Sequence, residues 1–408
     1  MKCRHCGVEL THTFIDLGSS PLSNSYLTKT TIRLPEKWYP LRVLVCDLCW
    51  LVQTEDIIGA DEIFSEDYAY FSSYSSSWLN HVKTYIDNVV ARFNLGDQST
   101  VVEVGANDGY LLQYIKEKNI PCYGIEPTHS TAVVARKKGI EIIEEFFGEQ
   151  KARELAGQGR RADLITANNV LAHVENINEF VKSFAILLKP EGVATFEFPH
   201  LLNLIEHNQF DTIYHEHYSY LSLTAVQTIF EANDLTVFDV EELSTHGGSL
   251  RVYAQRGDTG KQSISNIVNA LMAREEKAGI RKLEYYQGFQ NKAEKVKIDF
   301  LDFLIEAKKS KRKVVAYGAA AKGNTMMNFA GIRPDLIAYV VDKNPAKQKK
   351  YMPGSRIPIK EEQYLKNDSP DYVIVLPWNL KNEVMGQLDY VKERGGKFVT
   401  TIPQLEVS

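Results

Sequence analysis

The chain has 408 residues, 44% hydrophobic and 24% charged, with a formal net charge of −5 and a pI near 6.1. That length exceeds one small core, so two or three domains are expected. The acidic balance argues against a general affinity for nucleic acid, and no apolar run approaches the roughly twenty residues that span a bilayer.

The N-terminus, "MKCRHCG", has no apolar stretch that could act as a secretory signal, so a cytoplasmic chain with reduced cysteines is expected. Four of its five cysteines form two pairs, Cys3-x-x-Cys6 and Cys46-x-x-Cys49. Each pair sets two thiolates on a tight turn with a separation suited to tetrahedral zinc, and Gly7 supplies a flexible knuckle. The 39 intervening residues exceed the commonest ribbon spacing, and a redox disulfide is the competing reading. Four thiolates leave no open coordination position, so the metal would be structural and would organise about sixty residues. The fifth cysteine, Cys122, sits in "IPCYGIEP" and reads as part of a buried strand.

A serine- and tyrosine-rich stretch, "DYAYFSSYSSSW", leads into "STVVEVGANDGYLLQYIKEKNIPCYGIEPT". "TVVEVG" predicts a buried strand, "GYLLQYIKEK" a helix and "CYGIEP" a second strand, the unit of a doubly wound sheet. Strand-like "ADLITANNVL", helix-like "INEFVKSFAILLKPEG" and strand-like "VATFEFP" continue the alternation. The helical "LTAVQTIFEAND" and the strands "LTVFDVEEL" and "SLRVYAQR" complete it. A charged stretch of helical period follows, from about residue 262 to 310. Then "KVVAYGAAAKGNTMMNFAG" repeats the strand, glycine turn and helix pattern, with further strands in "LIAYVVDKN" and "PDYVIVLPW". The expected plan is α/β: a zinc module at 1–65, a Rossmann-like domain at 66–260 and a second Rossmann-like α/β domain at 261–408.

The stretch from Glu103 to Gly109 has the form E-x-G-x-x-x-G after a strand. Glycines there permit a tight turn and close backbone approach to a ligand, and an acidic residue orients hydroxyl or amino groups. This is neither the dinucleotide G-x-G-x-x-G nor a P-loop. Glu126, ending the second strand, is placed to hold a ribose diol. The combination resembles the S-adenosylmethionine-dependent methyltransferases. That resemblance implies cofactor contacts from Glu103, Gly105, Asn107, Gly109 and Glu126, and from Asn168 and Asn169 beside the methionine moiety. Glu145, Phe146 and Phe147 fall where adenine contacts are usual in that family, although the two phenylalanines also read as plain core.

Four of the ten histidines, His200, His207, His215 and His217, fall within eighteen residues, and the last two stand in "YHEH". H-x-H needs a third ligand to bind metal, and the zinc signature H-E-x-x-H is absent. His200 and His207 read as core residues. The Tyr-His-Glu-His-Tyr run is harder to bury, since each polar head must find a partner.

The cysteine pairs, "DYAYFSSYS", "EVGANDGYLL", "NNVLAHV", "YHEHYSYLS", "THGGSLRVY" and "AYGAAAKGNT" together resemble the sugar C-methyltransferases, which act on thymidine-diphosphate-linked ketosugars, over essentially the whole chain. The resemblance implies that His217 is a general base removing a proton beside a 4-keto group. It implies that Glu216 and Tyr214 orient the base or bind the sugar, and that His173 and Tyr68 are further active-site residues. Tyr70, His246, Lys322 and Asn324 become candidate contacts to the nucleotide sugar, with the helix after "AYGAAA" facing phosphate oxygens. S-adenosylmethionine and a structural zinc ion are the expected cofactors, and a dTDP-ketosugar the expected small-molecule partner. No nucleic-acid or membrane partner is expected, and the oligomeric state is left open, a monomer included. The rival functions are O- or N-methylation of another small molecule, a zinc-ribbon RNA methyltransferase, and an oxidoreductase using Asp342 in "VVDKN" as a ribose ligand.

Overall fold

The protein is described here by a computed structural model covering residues 1–59 and 71–408. Its strands are β1 (His12–Ser20), β2 (Tyr39–Val45), β3 (Val52–Thr54), β4 (Val101–Val104), β5 (Cys122–Ile125), β6 (Ile142–Ile143), β7 (Ala162–Asn168), β8 (Leu188–Pro199) and β9 (Ser219–Tyr220). They continue with β10 (Leu235–Leu243), β11 (Ser249–Arg256), β12 (Val314–Tyr317), β13 (Val340–Val341), β14 (Ile359–Lys360), β15 (Tyr372–Val375), β16 (Lys397–Thr400) and β17 (Glu406–Val407).

Three sheets result. The first is antiparallel, in the order β1-β2-β3-β9, and belongs to the N-terminal module that carries the two cysteine pairs. Its last strand comes from far along the chain, immediately after "YHEH". The second is Rossmann-like, in the order β10-β11-β8-β7-β4-β5-β6. Its strands β4 to β8 are parallel, and β10 and β11 run antiparallel at one side. All four residues of β4 are buried, as expected of a strand with helices on both faces. The third sheet, β14-β13-β12-β15-β16-β17, is parallel except at β17 and forms the second α/β domain.

Two elements depart from the sequence reading. The helix expected through "INEFVKSFAILLKPEG" stops at Leu187, and the chain continues directly as β8. Pro190 explains the stop: it has no N–H, and its ring excludes the helical conformation before it. The register of β8 on β7 jumps from Ala162↔Leu188 to Leu164↔Val193, so the proline sits in an irregularity that the ladder tolerates. In "LIAYVVDKN" only Val340–Val341 is strand.

The helical segments Asn266–Ala278 and Phe289–Lys309 join the second and third sheets. Glu275 on the first of them accepts hydrogen bonds from His200 Nε2 (2.7 Å), the N–H groups of Leu223 and Thr224 (2.7 Å each) and Thr224 Oγ1 (2.6 Å). It therefore caps the start of the Leu223–Ala232 helix, and the pair with His200 is fully buried. His200 is the core residue that was expected; His207 is exposed instead.

Candidate active site and zinc centre

Chain order reverses between β4 and β7, and in open α/β sheets a crevice forms beyond the carboxyl ends of the strands at such a point. A cavity of about 750 Å³ lies there, walled also by the N-terminal module and the C-terminal domain.

One half of the cavity is built from strand ends. Gly105 follows β4 at φ +70°, and a Cβ there would lie 2.5 Å from Val170 Cγ2, so only glycine fits. Asn107, also left-handed at φ 47°, accepts the N–H of Ser72 at 2.9 Å. Glu126 follows β5 and is held by the N–H groups of Asn107 (2.8 Å) and Thr128 (3.0 Å) and by Thr131 Oγ1 (3.1 Å). Burial raises its pKa, opposed by those donors. Asn168 and Asn169 end β7 on the cavity wall, and the Asn168 amide and Asn169 Oδ1 are buried without a hydrogen-bond partner among the described residues. Such orphaned groups mark a place where a polar ligand belongs. Phe146 is half-exposed at the rim, whereas Phe147 packs in the core.

Two motif residues lie behind the wall. Glu103 is fully buried, its pKa pushed well up by burial and opposed by the Tyr110 hydroxyl, and it is Tyr110 that reaches the cavity. Gly109, at φ +74°, abuts Ile140 and Ala135 and serves helix packing rather than a ligand.

The other half contains the "YHEH" turn. His217 N–H bonds to the carbonyl of Tyr214 at 2.9 Å, and the two rings lie 4.1 Å apart. His217 Nδ1 lies 2.9 Å from the carbonyl oxygen of Thr212, which can only accept, so Nδ1 carries the proton and Nε2 the lone pair. Burial, reinforced by the neighbouring His173, holds its pKa well below 6.5. The His173 ring is 4.7 Å away, its own pKa lowered to about 4 by burial. Glu216 accepts from Asn24 Nδ2 at 2.6 Å. His215 points elsewhere, donating to the carbonyl of Pro40 at 3.0 Å beside Tyr39. The two histidines of H-x-H therefore do not converge on a metal.

Tyr214, Glu216, His217, His173, His246 and Lys322 all line the cavity. His246 is left-handed (φ 54°) and stacks edge-on against Trp78 at 5.1 Å, with its pKa lowered to about 4 by burial. Its neighbour Thr245 donates to Glu197 at 2.9 Å, and Glu197 is also bound by His81 and Arg251. Lys322 donates to Asn379 Oδ1 at 2.8 Å and sits 4.6 Å over Trp378, whose indole N–H bonds Asp211 at 2.8 Å. Burial raises the Asp211 pKa to about 6. Asn324 is removed from the cavity: it is fully buried and donates to the carbonyl of Ser23 at 2.5 Å. Tyr68 and Tyr70 lie outside the described residues. Asp342 accepts the N–H groups of Ala319 and Asn344 at 2.7 Å each, so its carboxylate is engaged by its own loop.

Asn24, Trp78, Asp211 and Lys347 also line or border this half, and sequence reading missed them. Asn24 stands in "PLSNSYL", 192 residues before its partner Glu216, with no local signal to mark it.

Among the described residues, one cluster has the makings of a metal centre: the sulfurs of Cys3, Cys6, Cys46 and Cys49 lie within 4.8 Å of one another. Cys3–Cys49 and Cys6–Cys46 are each 3.5 Å apart. Zinc–sulfur bonds of about 2.3 Å imply tetrahedral sulfur separations of about 3.8 Å, so the four fit a zinc ion. The two knuckles are built alike: Gly7 N–H bonds to Cys3 O (3.0 Å) and Trp50 N–H to Cys46 O (3.1 Å), with both residues left-handed.

With this geometry in view, the comparisons with known proteins are direct. The C-methyltransferase NovU of Streptomyces niveus is 32% identical over 406 residues, spanning 100% of this chain and 96% of that protein. The chain belongs to the C-methyltransferase family. Family models agree: a zinc binding domain matches residues 3–64, a methyltransferase domain 78–240 and a C-methyltransferase C-terminal domain 244–403. The ubiquinone biosynthesis O-methyltransferase of Chelativorans sp. (strain BNC1) is 26% identical over 115 residues, 26% of this chain and 46% of that protein. Among solved structures, magnesium protoporphyrin IX methyltransferase (ChlM) of Synechocystis PCC 6803 with bound SAM aligns at TM-score 0.37 and 15% identity, covering 50% of this chain and 100% of that one. The protein is thus an S-adenosylmethionine-dependent C-methyltransferase with a structural zinc module.

Proposed function

We propose that the protein methylates a carbon beside the keto group of a dTDP-linked 4-ketosugar, with His217 as general base. The observation that carries this reading is the fixed tautomer of His217: Nδ1 is committed to Thr212, and Nε2 is left as an acceptor on the cavity wall. Its lowered pKa keeps the imidazole neutral, and hence able to take a proton, at neutral pH. A carbon nucleophile needs such a base, because the proton α to a carbonyl is acidic but does not leave unaided.

In the proposed step Nε2 takes the α-proton while the C–H electron pair forms the enolate. S-adenosylmethionine supplies a sulfonium methyl, and attack by the enolate carbon forms the new C–C bond as the C–S pair returns to sulfur. Gly105, Asn107, Glu126, Asn168 and Asn169 are the proposed cofactor contacts, with Phe146 at the adenine edge. Glu216 and Tyr214 position the base and the sugar, with His173 and Tyr68 completing the active site, and Tyr70, His246 and Lys322 contact the nucleotide sugar. Lys322 reaches the cavity, its pKa lowered by burial against the support of Asp211, and its amino group is suited to an anionic substrate.

The proposed division is a zinc module to residue 65, a methyltransferase domain to 260 and a C-terminal domain that helps hold the nucleotide sugar. Among the described residues no helix is long and apolar enough to cross a membrane. The test is a panel of thymidine-diphosphate ketosugars, some α-deuterated, incubated with S-adenosylmethionine and followed by mass spectrometry. Gain of one methyl with loss of α-deuterium is expected. Methylation that leaves every α-deuterium in place would refute the enolate.

A further inference from the structure

The "YHEH" turn has little regular structure of its own, and the pairing that follows it is short: β9 meets β3 through Val52↔Tyr220 and Gln53↔Ser219. Besides its internal Thr212–His217 bond and the Thr325–Ile213 bond from the C-terminal domain, the turn is held by individual hydrogen bonds from the N-terminal module. Thr54 Oγ1 donates to the carbonyl of His217 at 3.3 Å, and Thr54 N–H to the carbonyl of Tyr218 at 3.1 Å.

Arg4 lies between the zinc ligands Cys3 and Cys6, and its side chain is 4% exposed. One guanidinium nitrogen donates to the carbonyls of both Thr54 (2.7 Å) and Tyr218 (3.3 Å), and the other is paired with Asp56. The guanidinium carbon sits 5.0 Å over the Tyr218 ring. The Arg4 N–H bonds to Gln53 Oε1 at 2.9 Å, and Gln53 Nε2 approaches Cys3 Sγ at 3.2 Å. A continuous set of contacts therefore runs from the cysteine cluster through Arg4 and Thr54 to the carbonyls of the base itself and of the residue after it. Among the described residues, none of Gly105, Asn107, Glu126, Asn168 and Asn169 hydrogen-bonds to this set.

We infer that Arg4 is a positioning residue for the methyl transfer. The zinc knuckle fixes Arg4, and the guanidinium clamps Thr54 and Tyr218 so that His217 is held at its working position. The zinc module thereby acts on proton abstraction in addition to its own folding. A planar fork on a short, metal-anchored turn suits this role, because it reaches two carbonyls and a carboxylate from a fixed origin, which the point charge of lysine cannot do. The inference rests on the reading of His217 as the base.

The test compares the full-length parent with Arg4→Met and Arg4→Lys, using a thymidine-diphosphate 4-ketosugar deuterated α to the carbonyl. Zinc content, S-adenosylmethionine affinity, kcat for methyl transfer and α-deuterium loss are measured for each. Arg4→Met is expected to keep one zinc per chain and the parent cofactor affinity, while kcat and deuterium loss fall together by about tenfold or more. Arg4→Lys is expected to recover part of that loss. Parent kcat and parent deuterium loss in Arg4→Met would overturn the inference. So would loss of zinc or of cofactor binding in both variants, which would make Arg4 a folding residue. A parent enzyme that retains the deuterium refutes the enolate instead, and the kcat comparison then decides the role of Arg4 alone.

Discussion

His217 is bound through Nδ1 to the backbone carbonyl of Thr212, five residues earlier, at 2.9 Å. The contact sets the tautomer and the orientation of the ring together, as required of a residue that must offer a lone pair at Nε2. His217→Ala is expected to lower methyl transfer by a factor of about 10² to 10⁴ while leaving S-adenosylmethionine affinity within about twofold, as for loss of a general base. Steady-state kinetics and calorimetric titration of the cofactor read the two quantities. Turnover at the parent rate would remove His217 from the mechanism.

The proposed cofactor half can be blocked separately. Gly105→Ala puts a Cβ 2.5 Å from Val170 Cγ2 at a left-handed position, φ +70°. Cofactor binding is expected to weaken by at least about tenfold, because the turn must shift out of the crevice. Equilibrium binding of S-adenosylhomocysteine measures it, and unchanged affinity would show that the turn absorbs a methyl group.

Zinc should be present at one equivalent per chain by elemental analysis. Because four thiolates crowded within 4.8 Å need a cation to hold them together, strong chelators are expected to lower the thermal midpoint and to expose the N-terminal module to proteolysis. Protein purified without chelators that carries no zinc would contradict the fit.

The stability contributed by His173 and His246 should decline on mild acidification, whereas the buried Asp211 and Glu103, whose pKa values burial raises, act in the opposite direction. His173 and His246 titrate near 4 in the folded protein, because burial disfavours their charged forms, against 6.5 for the ordinary imidazole. Between those values the unfolded chain binds more protons than the folded one, so their contribution is complete above pH 6.5 and is lost as pH falls towards 4. Denaturant titrations of the parent beside His173→Gln and His246→Gln at successive pH values isolate it: the parent's midpoint should fall relative to each variant's as pH drops from 6.5 towards 4, and parallel midpoints would count against the buried neutral imidazoles.

Glu275→Ala is expected to cost about 3–5 kcal/mol of stability, since it strands His200 and leaves the Leu223 and Thr224 amides without their cap. The remaining folded fraction should keep parent cofactor affinity, as Glu275 lies outside the cavity. Urea denaturation and cofactor titration separate the two effects.

Local patterns carried much of this protein in readable form. Two CxxC knuckles announce a four-thiolate cluster because tetrahedral coordination demands paired ligands on tight turns. Apolar runs ending in Gly105, Glu126 and Asn168 announce strands with polar groups at their carboxyl ends, because parallel strands are buried along their length and exposed at their tips. Other features were decided by packing across long sequence separations. Glu103 and Gly109 belong to the cofactor motif by spacing, yet the wall of the cavity passes in front of them, and Tyr110 stands there instead. "YHEH" does not disclose that His215 faces Pro40 while His217 faces the cavity, since a turn, unlike a strand, aims alternate side chains differently. The links Asn24–Glu216 and Arg4–Tyr218 join residues about two hundred positions apart. No periodicity or composition encodes such contacts. They exist because β9 pairs with the zinc module's sheet, and that pairing is a property of the assembled fold.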